Sequence, residues 1–214
     1  MRRGAVTCSG SERMVKEQIV ARGIRDEKVL KAMRKVDRRR FVSGREGERA
    51  YGDHPICIGN GQTISQPYVV AFMTSALELS TEDRVLEIGT GCGYQTAVLA
   101  EIATEVSTIE IVEELGLRAR RQLNQMGYTN VEFNIGDGGK GWPEARLFDK
   151  IMVTAAPVEV PDALLEQLNT DGILIIPVGG ADQNLLRFRR VGEGIEREQL
   201  LQVRFVPMTG CVAS

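Results

Sequence analysis

Apolar positions along this chain change their period several times, and each change marks an element. Met14, Ile19 and Val20, then Val29, Leu30, Met33 and Val36, recur at spacings of three and four around Gly23, which predicts two short amphipathic helices. Asp26 stands where a capping residue would open the second. Over residues 51–67 the segment YGDHPICIGNGQTISQP keeps no regular period and reads as a long loop, with Ile56, Ile58 and Ile64 arguing against disorder. Helical spacing returns over 68–79; Ser65 is the expected N-cap and Pro67 falls in the first turn.

The stretch RVLEIGTGCGYQTAVLA, residues 84–100, organises the rest. Val85, Leu86 and Ile88 form a continuous apolar run, a glycine-studded turn follows, and small and apolar residues then recur at helical spacing: a buried parallel strand turning tightly into a helix. The alternation continues with strands at 106–111, 131–135, 148–154 and 172–178, and helices at 113–126, ended by Gly127, and at 161–168. Residues 184–191 and 196–206 change to polar–apolar alternation around Gly192-Glu193-Gly194, which predicts an antiparallel hairpin. The expected fold is a three-layer, doubly wound, mostly parallel α/β sheet with N-terminal helices and a C-terminal antiparallel hairpin. One domain is expected: residues 1–12 irregular or disordered, 13–80 helices and an active-site loop, and 81–214 the ligand-binding core.

Composition narrows the partners. With 214 residues, 43% of them hydrophobic, the chain can bury a sizeable core, and a formal net charge of -2 gives no electrostatic footprint for nucleic acid. Cys8, Cys57, Cys92 and Cys211 have no metal-ligand spacing, so no metal is expected and reduced thiols suit a cytoplasmic protein. No apolar region follows Arg2 and Arg3, and no stretch reaches membrane-span length, so no membrane partner is expected. Arg34, Lys35 and the run Arg38 to Arg40 read as a solvated helix end complementing the macrodipole. His54, the single histidine, lacks a partner acid or cysteine and reads as a loop residue rather than part of a triad.

The turn separates two ligand classes. Gly89, Gly91 and Gly93 give G-x-G-x-G, and Tyr94 takes the place of the third glycine of a dinucleotide fingerprint. Glu87, at the strand end, would repel a diphosphate and attract an ammonium. A nucleoside carrying an amino acid fits better, and S-adenosylmethionine is such a ligand; a glycine turn that merely packs helix on strand is the plain alternative. Glu110 follows Gly89 by roughly 20 residues, the distance at which doubly wound folds place a ribose-binding carboxylate. Asp137, between Gly136 and Gly138, follows the next strand and could accept from an adenine amino group. Acids after strands are often helix caps, yet three at consecutive strand ends are less easily dismissed.

GNGQTISQP, VLEIGTGCGYQTAVLA, GDG followed by GW, VTAAP, ILIIPVG and the closing RFVPMTG together resemble the protein-L-isoaspartate O-methyltransferases, over nearly the whole chain from about Met14. The resemblance implies a seven-stranded Rossmann-like sheet, S-adenosylmethionine as methyl donor with S-adenosylhomocysteine as product, and damaged proteins and peptides bearing L-isoaspartyl residues as acceptors. It implies Ser65 as the active-site residue, with Thr63 and Ile64 beside it. Glu87, Gly89 and Gly91 would hold the methionine part, Glu110 the ribose, Asp137 with Gly138 the adenine, and Thr209 would close over the site. A monomer is expected. The acceptor carboxylate, with a pKa of about 3.5, is already an ionised nucleophile, which accounts for a chain with no evident general base. Another small-molecule or RNA methyltransferase, which has no account of GQTISQP, and a non-catalytic nucleotide- or adenosylmethionine-binding module, which turnover would discriminate, are the competing readings.

Overall fold

Chain order begins, as the apolar period predicts, with helices. The computed structural model describes residues 9–42 and 44–210. Helix α1 (Gly10–Met14) runs into a π turn at Val15–Ile19 and a 3-10 turn at Val20–Arg22, then stops at Gly23, whose φ of +96° suits glycine. Ser9 caps α1 through a bond from the Glu12 amide, so helix begins at Gly10, within the stretch expected to be irregular, while 1–8 lie outside the described residues. Helix α2 (Glu27–Lys35) begins at Asp26, whose carboxylate accepts from the Lys28 and Val29 amides as its position predicted.

The presumed loop contains structure of its own. Strands β1 (Ile56–Gly59) and β2 (Gln62–Ile64) pair antiparallel, turning at Asn60 and Gly61 with positive φ. Elements of four and three residues are too short for period to reveal. Helix α3 (Pro67–Ala76) follows, and here the structure corrects the expected cap. Gln66, not Ser65, occupies the N-cap, with no side-chain bond, because the residue before proline is driven into extended geometry. Pro67 in the first turn removes an amide that would have lacked a partner.

Seven strands make the sheet: β3 (Arg84–Ile88), β4 (Glu105–Glu110), β5 (Val131–Ile135), β6 (Phe148–Val153), β7 (Leu168–Gly179), β8 (Gln183–Val191) and β9 (Gly194–Val203). Their spatial order is β5-β4-β3-β6-β7-β8-β9, parallel through β7 and antiparallel thereafter. The mostly parallel seven-stranded fold is therefore present. Sequence moves outward from β3 through β4 to β5, then returns to the other side at β6, so β3 borders the switch point where open α/β sheets bind ligands.

Strand alternation builds one core on each face. Val85, Met152, Ile173 and Ile175 pack with α3, α4 (Tyr94–Ala100), α5 (Glu113–Gln125) and the N-terminal helices. Leu86, Ile88, Ile151, Val153 and Leu174 face the opposite side, with Trp142, Phe148 and Leu164 of the short helix α6 (Asp162–Glu166). Leu86 is wholly buried, so truncation to alanine would cost about 2–5 kcal/mol.

The last strand ends sooner than its alternation predicted. Gln183 holds the chain at Phe205, accepting from its amide at 2.6 Å and donating to its carbonyl at 3.2 Å. The chain then leaves the sheet and pairs Pro207 with Ala156, just beyond the end of β6. This detour brings 206–209 over the carboxyl ends of the central strands.

Candidate active site

The β3–α4 turn is built on local backbone demand. Gly89 has φ of +96°, and a Cβ there would collide with Thr154 Oγ1, whose hydroxyl donates to the Gly89 carbonyl at 2.7 Å. Gly93 forms the N-cap of α4 in left-handed geometry. Between them the Gly91 amide donates to Glu110 Oε2 at 2.7 Å, while Glu110 Oε1 accepts from the Val112 amide at 2.9 Å. Glu110 thus ties the turn to the start of α5 and still faces the crevice, each oxygen keeping a second lone pair.

Glu87 lies one layer deeper. It is wholly buried, and its Oε2 accepts from Thr96 of α4 at 2.5 Å and from Thr108 of β4 at 2.7 Å; Thr108 in turn meets the Thr90 hydroxyl at 2.7 Å. Burial raises its carboxyl to about 8, so at neutral pH it is mostly uncharged. Expected beside the ligand's ammonium, Glu87 instead sits beneath the turn and lines none of the site's cavities.

Above the turn lies a narrow crevice. Ile88, Ile109, Ile111 and Met208 give it apolar walls, Glu110 supplies an acid, and Thr209 stands at its edge. Gly138 completes a wall, with Ile88 too close to admit a side chain. Among the described residues no lysine or arginine lines it. Apolar surfaces with one carboxylate and no cation fit a nucleoside without phosphate, whose base packs and whose diol donates. S-adenosylmethionine has that donor set. Asp137 accepts from the Gly139 amide at 2.9 Å, capping the turn Gly138–Lys140, and lies close against Gly210.

A larger cavity of about 450 Å³ opens beside the crevice, lined in part by Arg22, Ser65, Tyr68 and Phe205. Thr63 and Thr154 contribute to both, and also to a small pocket between them that Ile64, Ser65 and Gln95 enclose. Ser65 lines the larger cavity and the small pocket, and the small pocket shares Thr63, Gly89, Gly91 and Thr154 with the crevice. Cys92 borders the small pocket, but burial pushes its thiol up to about 11, which leaves it protonated.

Two residues in and beside this site carry no clear signal in the sequence. Thr154, which lines all three spaces, follows β6 as a hydroxyl and not as an acid. Arg38, read as part of a solvated basic run, is wholly buried: Nε donates to the Ala50 carbonyl at 2.8 Å, Nη1 to that of Ser65 at 2.7 Å and Nη2 to that of His54 at 3.4 Å. Its guanidinium also lies 5.2 Å from the Tyr94 ring centroid. His54 itself borders the loop, its ring Nδ1 3.0 Å from the Pro55 carbonyl.

Comparison with known proteins agrees with this geometry. Residues 9–213 match the family model described as protein-L-isoaspartate(D-aspartate) O-methyltransferase. A Picosynechococcus protein named protein-L-isoaspartate O-methyltransferase is 52% identical over 199 residues, covering 93% of this chain and 90% of its own. Among solved structures, a protein-L-isoaspartate O-methyltransferase aligns at 28% identity with a TM-score of 0.83, over 91% of this chain and 64% of that one. A Plasmodium falciparum structure titled as a putative member, in complex with S-adenosyl-L-homocysteine, aligns at 26% identity with a TM-score of 0.82, over 94% of this chain and 99% of that one.

Proposed function

The chain belongs to the protein-L-isoaspartate(D-aspartate) O-methyltransferase family, and from that premise we propose that methyl transfer takes place at Ser65, which lines both the acceptor cavity and the small pocket. The enzyme transfers the methyl group of S-adenosylmethionine to the α-carboxylate of L-isoaspartyl residues in damaged proteins and peptides. The methyl ester is labile and converts through a succinimide toward normal aspartyl. The observation that supports the choice of residue is that Ser65 and Thr63 both line the larger cavity and the small pocket, while Thr63 lines the crevice as well.

The bound cofactor supplies an electrophilic methyl on a sulfonium; the chain's own residues supply aim. The Ser65 hydroxyl, with Thr63, donates to one oxygen of the acceptor carboxylate and leaves the other free to attack. No proton need be removed, because that carboxylate is ionised at neutral pH. Orientation of this kind contributes several kcal/mol, on the order of 7–11 kcal/mol at its best. Glu110 is assigned the ribose hydroxyls, Gly89 and Gly91 the methionine part, Asp137 and Gly138 the adenine, and Thr209 the closing edge. Glu87 is given an indirect part, holding the turn through Thr96 and Thr108. The chain is proposed to act as a single-domain monomer in the cytoplasm without a metal.

Acceptor chemistry supplies the test. A methyl ester of the isoaspartyl α-carboxyl is attacked by the neighbouring amide nitrogen, closing a five-membered succinimide and releasing methanol. Label transferred from S-adenosylmethionine to an isoaspartyl peptide should therefore become volatile in mild base, and a matched aspartyl peptide should take up none. Counts that survive base would point to nitrogen or carbon methylation and sink the carboxylate assignment.

A further inference from the structure

Arg38 is a buried cation with an unusual set of partners. Among the described residues it forms no ion pair; all three of its hydrogen bonds go to main-chain carbonyls, at Ala50, His54 and Ser65. Burial depresses its affinity for a proton, and the nearby Tyr94, Cys92 and Asp53 offset that only in part. A cation retained under that penalty is costly unless the bonds it makes are needed. Asp53, the acid nearest in sequence to those carbonyls, is engaged by Arg22 at 3.0 Å instead.

The three carbonyls belong to one segment, and the guanidinium gathers it around a single point. Residues 50 and 65 are its ends, and β1 and β2 lie between them. Only Ser65 and Gln66 link β2 to α3. The bond to the Ser65 carbonyl fixes the peptide plane that follows this residue, and with it the direction in which Ser65 leaves the backbone. The planar fork of arginine suits this arrangement because it offers several donors at fixed angles, whereas lysine offers a point charge.

We propose that Arg38 is a positioning residue for methyl transfer, holding the Ser65 backbone so that its hydroxyl faces the acceptor carboxylate. It reaches neither reactant itself: its contacts are carbonyls and the Tyr94 ring, and it lines neither the acceptor cavity nor the crevice. The inference rests on the reading of Ser65 given above.

Kinetics of Ser65→Ala, Arg38→Lys and the double variant separate the possibilities. Arg38→Lys should lower kcat by about tenfold or more, with KM for the isoaspartyl peptide and calorimetric affinity for S-adenosylmethionine each within about threefold of wild type. In the double variant the lysine should cost less than about twofold beyond Ser65→Ala, since both changes remove one aimed hydroxyl. Wild-type kcat in Arg38→Lys, or losses that multiply in the double variant, would overturn the inference while leaving Ser65 in place. A wild-type kcat in Ser65→Ala would overturn both. Arg38→Gln serves the same cycle if the lysine variant does not fold. The wild-type enzyme labelled with ¹⁵N-arginine gives a reading that needs no variant. The Arg38 Nε–H resonance should exchange slowly and shift when isoaspartyl peptide binds the cofactor-loaded enzyme; absence of a shift would also overturn the inference.

Discussion

The amide of Gly91 donates to Glu110 Oε2 at 2.7 Å, so the acid at the end of β4 and the glycine turn after β3 form one unit. Glu110→Ala removes both the assigned ribose acceptor and the clamp on the turn. Affinity for S-adenosylmethionine should fall by roughly 1.5–3 kcal/mol, about tenfold to a hundredfold or slightly more, as read by calorimetric titration. Unchanged affinity in a folded variant would remove Glu110 from the cofactor site.

Ser65 permits a cleaner experiment than its sequence position suggested. Because Gln66 occupies the N-cap of α3, Ser65→Ala deletes no capping bond. The expected result is a kcat lower by about tenfold to a thousandfold with little change in thermal midpoint. A loss of stability of about 1 kcal/mol with a nearly normal rate would restore the capping role.

Glu87 predicts how stability varies with pH. Folding raises its carboxyl from 4.5 to about 8, so between those values the folded chain keeps a proton that the unfolded chain has released. Stability contributed by this group is fully present below 4.5, declines as pH rises through the window, and levels off above about 8. The total is on the order of a few kcal/mol. Glu87→Gln mimics the protonated form, so its thermal midpoint should decline less across that window. Parallel curves for the two proteins would show that Glu87 does not titrate in this way.

Chelation should leave turnover intact. No group of three or more histidine, cysteine, aspartate or glutamate side chains among the described residues is arranged to hold a metal. Activity lost in EDTA and restored by a divalent ion would refute this.

The strands and the glycine turn were legible because a buried parallel sheet imposes continuous apolar runs, and a tight strand-to-helix turn imposes glycine. The place of Glu110 at the crevice was legible from topology, since the strand ends of a doubly wound sheet converge, whereas Asp137, expected from the same rule, caps the turn Gly138–Lys140 and lines none of the site's cavities. Arg38 was hidden for a physical reason: in a run of Arg38, Arg39 and Arg40, composition cannot tell which member turns inward, and only tertiary packing decides it. Glu87 was recognised as an acid at a strand end, but which face of β3 it takes depends on alternation past a glycine turn, and the burial that neutralises it is a property of the layers around it. Thr154 and the β1–β2 hairpin carry signals too short to stand out.

The bridge between Ala156 and Pro207 bears on how the enzyme comes into being on the ribosome. The Met208 amide donates to the Ala156 carbonyl at 2.8 Å, so a segment from beyond the last strand supplies one wall of the crevice whose floor lies at residues 88–91. Synthesis proceeds from N- to C-terminus, and roughly 120 residues must be added after the floor before that wall exists. A nascent chain can pair β3 with β4 and bury its core long before it has a closed site. The enclosure therefore arrives late, after folding has largely been decided, and an aborted chain short of residue 206 carries the sheet without the wall that residues 206–209 give the crevice.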